Sequence, residues 1–412
     1  MKSDLNRLMD EKGYDALLIT GSGQHNPAMV YLTGGGHMTS ADVIMVRGND
    51  PILFHNPMER DEAKATGLRT KNLVDYNWKE LLKEAEGDTI KAQALRYKKM
   101  LADCGIDQGK IAVYGNGDVG VNFAVFSKLE AISPAIQIIG EPARNSLILE
   151  AMKTKQAEEI ERIRQMGEVT TSVVGKVADY LISQRVEGGI LTTADGKPLT
   201  IGAVKRKINL WLVESGVENP HGTIFAIGHD AGVPHSSGNP DDFIALGKTI
   251  VFDIFPCEFG GGYHYDFTRT WCLGYASEEA QSLYEDVLGV YQAIMKELTV
   301  GEPFKTYQEL TCDLFEAQGH QTIKSDPSIE EGYVHSLGHG VGLHVHEAPW
   351  SGTGATEKDT LDPGSVFTIE PGLYYPSKGM GCRLEDTLTI TNAGEFMILA
   401  EYPLDLVLPL KF

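Results

Sequence analysis

Cysteine is scarce in this chain. There are five in 412 residues, Cys104, Cys257, Cys272, Cys312 and Cys382, and none forms a CxxC pair. An odd, scattered set excludes a disulfide framework and a structural zinc site, and makes a reducing cytoplasm the expected compartment. Long apolar runs are missing too: nothing approaches membrane-spanning length, and the opening residues Met1 to Leu8 lack the apolar stretch of a signal peptide. Basic residues are in short supply, 36 against 57 acidic ones, for a net charge of −21. That balance repels phosphate, so nucleic acid and anionic membrane surfaces are excluded as partners. HExxH is absent, which excludes the helix-borne zinc protease arrangement. Gly34-Gly35-Gly36 has neither GxGxxG nor GK[ST] spacing, so it reads as a mobile turn and not a phosphate loop. No solenoid-length repeat or low-complexity tract is present.

What remains is an ordinary globular composition, 42% apolar and 23% charged, in a chain long enough for two domains. Residues 1–148 alternate strand-like runs with more polar segments. The runs are Ala16 to Thr20, Val43 to Val46, Ile52 to Phe54, Ile111 to Tyr114 and Ile136 to Ile139, an α/β layout. Ser3 is placed to cap a first helix carrying Leu5, Leu8 and Met9 and stopped by Gly13. His25, His37 and His55 are isolated and read as structural or surface groups. Past residue 149 the pattern changes to a long amphipathic helix through Ile160, Ile163, Val169, Val173, Val177 and Leu181. A helix capped by Ser277 follows over 277–298. Another is expected over 306–318, opening on a Thr306/Glu309 capping box and ending at Gly319.

The chemistry concentrates in this second part. Four of the twelve histidines, His335, His339, His344 and His346, fall within twelve residues threaded with glycine. Four carboxylates sit where apolar residues belong. Asp253 is in the middle of Thr249 to Pro256, Asp266 lies among β-formers from Tyr263 to Trp271, and Glu370 ends the run from Val366. In the run from Arg383 to Ile390, alternation puts Arg383, Glu385, Thr387 and Thr389 on one face and Leu384, Leu388 and Ile390 on the other. Asp is depleted in strands, and burying it ionised costs several kcal/mol unless a cation answers it. Arg269 and Arg383 cannot neutralise four such groups. Divalent cations can, and several carboxylates with one imidazole suit two ions sharing bridging oxygens better than one.

In that order, Asp253, Asp266, His339, Glu370 and Glu385 resemble the five-ligand signature of the pita-bread metallopeptidases. The strings Val-Pro-His235-Ser, Tyr-Asp266-Phe-Thr-Arg-Thr, Ile-Glu370-Pro-Gly-Leu-Tyr and Arg383-Leu-Glu385-Asp resemble the same family, as does the histidine cluster itself. The branch is that of aminopeptidase P and prolidase, whose catalytic domain follows a creatinase-like N-terminal domain. The resemblance implies an α/β domain over 1–148 and an α+β pita-bread catalytic domain over 149–412. It implies an enzyme that removes an N-terminal residue from a following proline by means of a metal-bridging hydroxide. Its cofactors would be two divalent ions, manganese first, with cobalt, zinc or iron as alternatives. Its partners would be a small peptide with proline second and further copies of the chain, in a homodimer or higher homo-oligomer. By the same resemblance Asp253 would hold one ion and His339 with Glu370 the other, with Asp266 and Glu385 bridging. Glu370 would also act as general base and His346 would stabilise the oxyanion. His235 and His335 would contact substrate, and Arg383 would brace the last ligand. His344 falls at a variable position and reads as a surface or supporting group; His264 matches no family position.

The family pattern also has a glycine two residues after the first Asp and a shorter hairpin. Here Phe255 replaces the glycine and the hairpin is two residues longer, which should alter the loop and not the ligands. Many prolidases place an arginine shortly after the His-Glu string, where it can meet a dipeptide's carboxylate. Trp350 stands there instead, and Lys358 is the only basic residue between His346 and Glu370. This favours cleavage of longer Xaa-Pro peptides over an Xaa-Pro dipeptidase. A creatinase-like metal-free hydrolase and a non-catalytic binding relative are disfavoured because all five ligand positions are kept.

Overall fold

The computed structural model describes residues 4–410, which fall into two compact units. Unit 1 comprises Met1–Met152 with Gly260–Gly262, and unit 2 the remainder. In unit 1 the apolar runs become β1 Ala16–Gly21, β2 Ala41–Val46, β3 Ile52–His55, β5 Gly109–Gly115 and β6 Ile136–Ile139, joined by β4 Arg69–Asn72. They form one sheet in the order β4-β3-β2-β1-β5-β6. The pairs β1–β5, β5–β6 and β3–β4 are parallel, and β1–β2 and β2–β3 antiparallel. Strand β4 carries no apolar residue, as suits an edge, and for that reason gives no strand signal in the sequence. Leu18, Ile44, Phe54, Leu101 and Ile111 centre the core.

The first helix runs Leu5–Lys12 and ends on Gly13 at φ 68, the left-handed C-cap that glycine adopts without penalty. Ser3 lies outside the described residues, and the N-cap is Asp4. Gly34 closes the helix Pro27–Thr33 in the same way. His55 is buried with Nδ1 on the Asn56 carbonyl, whereas His25 and His37 are exposed.

Unit 2 is built on two sheets. One orders Thr223–Ile227, Thr249–Ile254, Phe267–Leu273 and Val407–Leu408; the other orders Glu347–Trp350, His339–Gly340, Val366–Ile369, Asp386–Ile390 and Phe396–Ile398. The amphipathic helices are Ala157–Ile182, Ile201–Glu214, Glu278–Glu297 and Phe304–Ala317. Ser277 caps its helix by accepting from the Ala280 amide at 3.1 Å. The 306–318 helix has its N-cap three residues earlier than its capping box predicts. Pro303 is its N-cap, Phe304 is fully buried, and Thr306 bonds Glu302 at 3.1 Å instead of capping. Tertiary anchoring of Phe304 has outweighed the local cap. The alternation from Arg383 to Ile390 predicts a single strand, but the structure has two, Met380–Arg383 and Asp386–Ile390. Arg383 pairs with Gly372 and Asp386 with Ile369, so Leu384 and Glu385 lie where the chain crosses from one pairing to the next. At that crossing Glu385 makes a bridge to Thr268.

Arg269 fastens this region. It is 1% exposed and donates to the carbonyls of Thr268, Glu385, Tyr402 and Pro403 and to the Asp386 carboxylate, all within 3.0 Å. Tyr291 donates to the other Asp386 oxygen. Replacing Arg269 with Met leaves Asp386 buried without its cation and should cost about 3–5 kcal/mol, read by chemical denaturation. Among the described residues, no helix is long and apolar enough to cross a membrane.

Candidate metal centre

The longer hairpin leaves the strands that carry the first two aspartates in register. Asp253 pairs with Thr268, Ile254 with Phe267, and Asp266 immediately precedes the second strand. Glu370 follows the strand Val366–Ile369, and His339 begins the short strand beside it. All five side chains therefore emerge within one residue of a strand end or at a crossing.

They converge. Ligand atoms of Asp253, Asp266 and Glu385 lie within 4.8 Å of one another, and so do those of His339, Glu370 and Glu385. His339 Nε2 stands 3.2 Å from Glu370 and 3.6 Å from Asp266. The His339 Nδ1–H is used on the Gly340 carbonyl at 3.0 Å, an acceptor only, so Nε2 is the atom that faces the carboxylates.

The electrostatics describe a site crowded with negative charge. Burial and the neighbouring Asp253 hold the Asp266 carboxyl well above its usual range, and burial with Asp266 does the same to Glu385. Asp253 is raised by burial, against the pull of Arg383. For Glu370, burial is outweighed by the hydrogen bond and charge of His339, which take it down to about 2; His339 in turn is raised to about 9 despite its burial. Asp253 Oδ1 and Glu385 Oε1 are buried and have no hydrogen-bond partner. Buried carboxylate oxygens are seldom left unpaired, and the donor set around them is oxygen-rich with one imidazole, as divalent manganese, cobalt, zinc or iron accepts. The residues present fit a divalent cation centre.

Arg383 has a partner beyond the expected one. Its guanidinium donates directly to the first carboxylate, Asp253 Oδ2 at 2.6 Å. It acts on Glu385 by its charge and through Thr268, whose hydroxyl accepts from Arg383 Nε at 3.2 Å and donates to Glu385 Oε2 at 2.7 Å. Arg383 also donates to the Tyr374 hydroxyl at 2.6 Å, and Tyr374 reaches His335 Nε2 at 2.9 Å. With His335 Nδ1 on the Ser336 carbonyl at 2.7 Å, both ring nitrogens are engaged. His335 thus ends a chain running from Asp253 through Arg383 and Tyr374. Sequence reasoning missed Thr268 and Tyr374. Both lie inside the matched strings, but nothing in their spacing tells a bracing hydroxyl from a core residue.

His346 opens to solvent at the edge of the centre. Its ring lies 4.2 Å from that of His339, edge to face, and its nitrogen falls within 4.8 Å of the Asp266 and His339 ligand atoms. The walls of the cleft and the adjacent His339 bring it down to about 4, so it is neutral near pH 7. His235 is exposed on the turn after Val233, close enough to act electrostatically on His335 and His346. His344 is half-buried, with its amide on Glu347 at 3.2 Å. His264 is buried against the exposed ring of His221 at 6.0 Å, and its Nε2 has no partner.

Two family models match this chain: metallopeptidase family M24 over residues 161–392, and the creatinase/prolidase N-terminal domain over residues 2–137. Among curated relatives, an Xaa-Pro dipeptidase of Pyrococcus furiosus is 27% identical over 402 residues, covering 96% of this chain and 97% of its own. Among solved structures, a dipeptidase from Pyrococcus horikoshii OT3 superposes with a TM-score of 0.75 at 22% identity, covering 99% of both chains. An X-Pro aminopeptidase from Thermotoga maritima MSB8 does so at 0.72 and 21%, again over 99% of each. These likenesses give the fold, an α/β first domain followed by the pita-bread catalytic domain. The M24 match spans every one of the five converging side chains, and the chain belongs to metallopeptidase family M24.

Proposed function

We propose that this protein is an Xaa-Pro exopeptidase with a dinuclear metal centre, cleaving the bond between an N-terminal residue and a following proline. The single observation that carries the reading is the pair of buried, partnerless oxygens on Asp253 and Glu385 within two overlapping ligand triads. The names borne by its relatives, Xaa-Pro dipeptidase and X-Pro aminopeptidase, support the substrate class. Proline lacks the amide N–H and has a fixed φ, so a dedicated site for it is chemically sensible.

In this reading Asp253 with Asp266 and Glu385 would hold one ion, and His339 with Glu370, sharing Asp266 and Glu385, would hold the other. When bound, the ions polarise the scissile carbonyl and lower the pKa of water. The chain supplies the rest. Glu370 takes the proton of the attacking water and passes it to the leaving proline nitrogen. His346 donates its imidazole N–H to the carbonyl oxygen as charge develops there. His235 orients the substrate, and His335 lines the site with its ring fixed by Tyr374. The same reading assigns residues 1–148 to the creatinase-like domain and 149–412 to the catalytic one. It takes manganese as the metal and a homodimer or higher homo-oligomer as the assembly, in the cytoplasm.

The test is turnover of a Gly-Pro dipeptide and an Xaa-Pro-Xaa tripeptide, each with Mn²⁺ or Co²⁺ and after chelation. Metal-dependent release of the first residue from the tripeptide is expected. The dipeptidase reading is favoured by the name of the Pyrococcus relative. Against it stands Trp350 at the expected arginine position, with the side chain of Lys358 exposed. Fast dipeptide turnover with poor tripeptide turnover would reverse this order, and no turnover of either in any metal would sink the peptidase reading. A second expectation concerns the bracing hydroxyl. Thr268→Val removes the donor to Glu385 and the acceptor for Arg383, and should weaken metal affinity about 10–100-fold, measured by metal titration.

A further inference from the structure

The turn that presents His346 is fastened from below by an ion pair from far away in the chain. Lys155 Nζ lies 2.6 Å from Glu347 Oε1, with side-chain exposures of 2% and 0%. The second Glu347 oxygen accepts from the His344 amide at 3.2 Å. Gly342 packs flat on the same carboxylate, so closely that a Cβ there would stand 2.4 Å from Oε1. The backbone of Glu347 pairs with Gly340, next to His339. The Lys155 backbone is itself held: its amide donates to the Gly364 carbonyl at 2.8 Å, and Thr154 bridges Ser365, at the start of the segment leading to Glu370. One buried charge pair thus ties together both ends of the 340–347 turn and the approach to Glu370.

A buried ion pair is poor value for stability alone, because desolvation of both charges offsets most of their attraction. What it does supply is direction, since neither partner can move without leaving the other charged and unpaired. His346 is the residue next to Glu347, its ring set edge to face against that of His339 and open to solvent on its outer side. We propose that Lys155 is a positioning residue for His346: through Glu347 it sets the pose in which that imidazole faces His339 and the reacting carbonyl. The proposal rests on the substrate-facing role given to His346 above.

The test uses the full-length protein with ¹⁵N-labelled histidine, zinc-loaded, and two variants. Lys155→Met removes the cation. The double variant Lys155→Met/Glu347→Met removes the pair without leaving a buried charge, and keeps the test decisive if the single variant does not fold. The His346 imidazole signals are identified by their loss in His346→Asn. They should shift or multiply in the variants, while those of His335, pinned by Tyr374 and Ser336, stay in place. Turnover of the Xaa-Pro tripeptide should fall about 10²-fold in kcat, with KM within about twofold, because a misplaced donor is felt in the transition state and not in ground-state binding. His346 signals that coincide with those of the parent in the double variant overturn the proposal, whatever the stability change. If the parent itself turns over no Xaa-Pro substrate, the peptidase reading fails, and the imidazole signals still decide whether Lys155 positions His346.

Discussion

Asp266→Asn should abolish peptidase activity while leaving the fold intact. Asp266 contributes ligand atoms to one triad with Asp253 and Glu385 and to another with His339 and His346. An amide there offers one neutral oxygen where the proposed centre would need a shared anionic one. Lewis-acid stabilisation of the transition state is worth several kcal/mol, and about 4 kcal/mol corresponds to roughly 10³-fold in rate, so turnover should drop by that factor or more. The fold has reason to survive. Asn has the same shape, and its carbonyl oxygen can still accept from the Phe267 amide, as Asp266 Oδ1 does at 3.0 Å. The substitution also removes one of the acids that raise each other's pKa through mutual repulsion. The metal-free variant should therefore melt no lower than the metal-free parent. A folded variant with parental turnover would remove Asp266 from the ligand set.

The second large effect is on stability and needs no substrate. The crowded carboxylates oppose folding in the metal-free protein and favour it once a divalent cation takes their charge. A ligand that binds only the folded state adds about 2.7 kcal/mol at one hundred times its Kd and about 4.1 at one thousand times. At roughly 2–4 °C per kcal/mol for a unit of this size, Mn²⁺ should raise the melting temperature by about 5–16 °C. Chelator should reverse the shift. None of the five converging side chains lies in unit 1, so the shift belongs to the melting of unit 2. Asp266→Asn should lose most of it. Differential scanning calorimetry with and without the ion decides the matter, and an unchanged transition would mean that the acids are satisfied some other way.

How far the site can be read without coordinates depends on how local its signals are. Each acid advertises itself by standing in a stretch that otherwise reads as buried strand, and Asp253, fifth of six residues in Thr249–Ile254, is the clearest case. Strand β4 escapes notice because an edge strand needs no apolar face. The Thr306 cap misleads because a good local cap loses to a fully buried Phe304 two residues earlier. Arg383 is legible as a supporting cation, yet its partner is not, since alternation along one strand says nothing about which strand will lie opposite.

The chemistry is written along the chain: which residues are ionisable, which stretches must be buried, and hence that a group of acids and one imidazole calls for a cation. The partnerships come from the folded arrangement. Asp253 meets Arg383 across 130 residues, Glu385 meets Thr268 across 117, and Glu347 meets Lys155 across 192. The reason is physical. Burial and strand propensity act on neighbours in the chain and leave a pattern there, whereas a buried charge accepts any donor of suitable geometry. Which donor arrives is settled by how the two sheets and their crossings bring distant segments together.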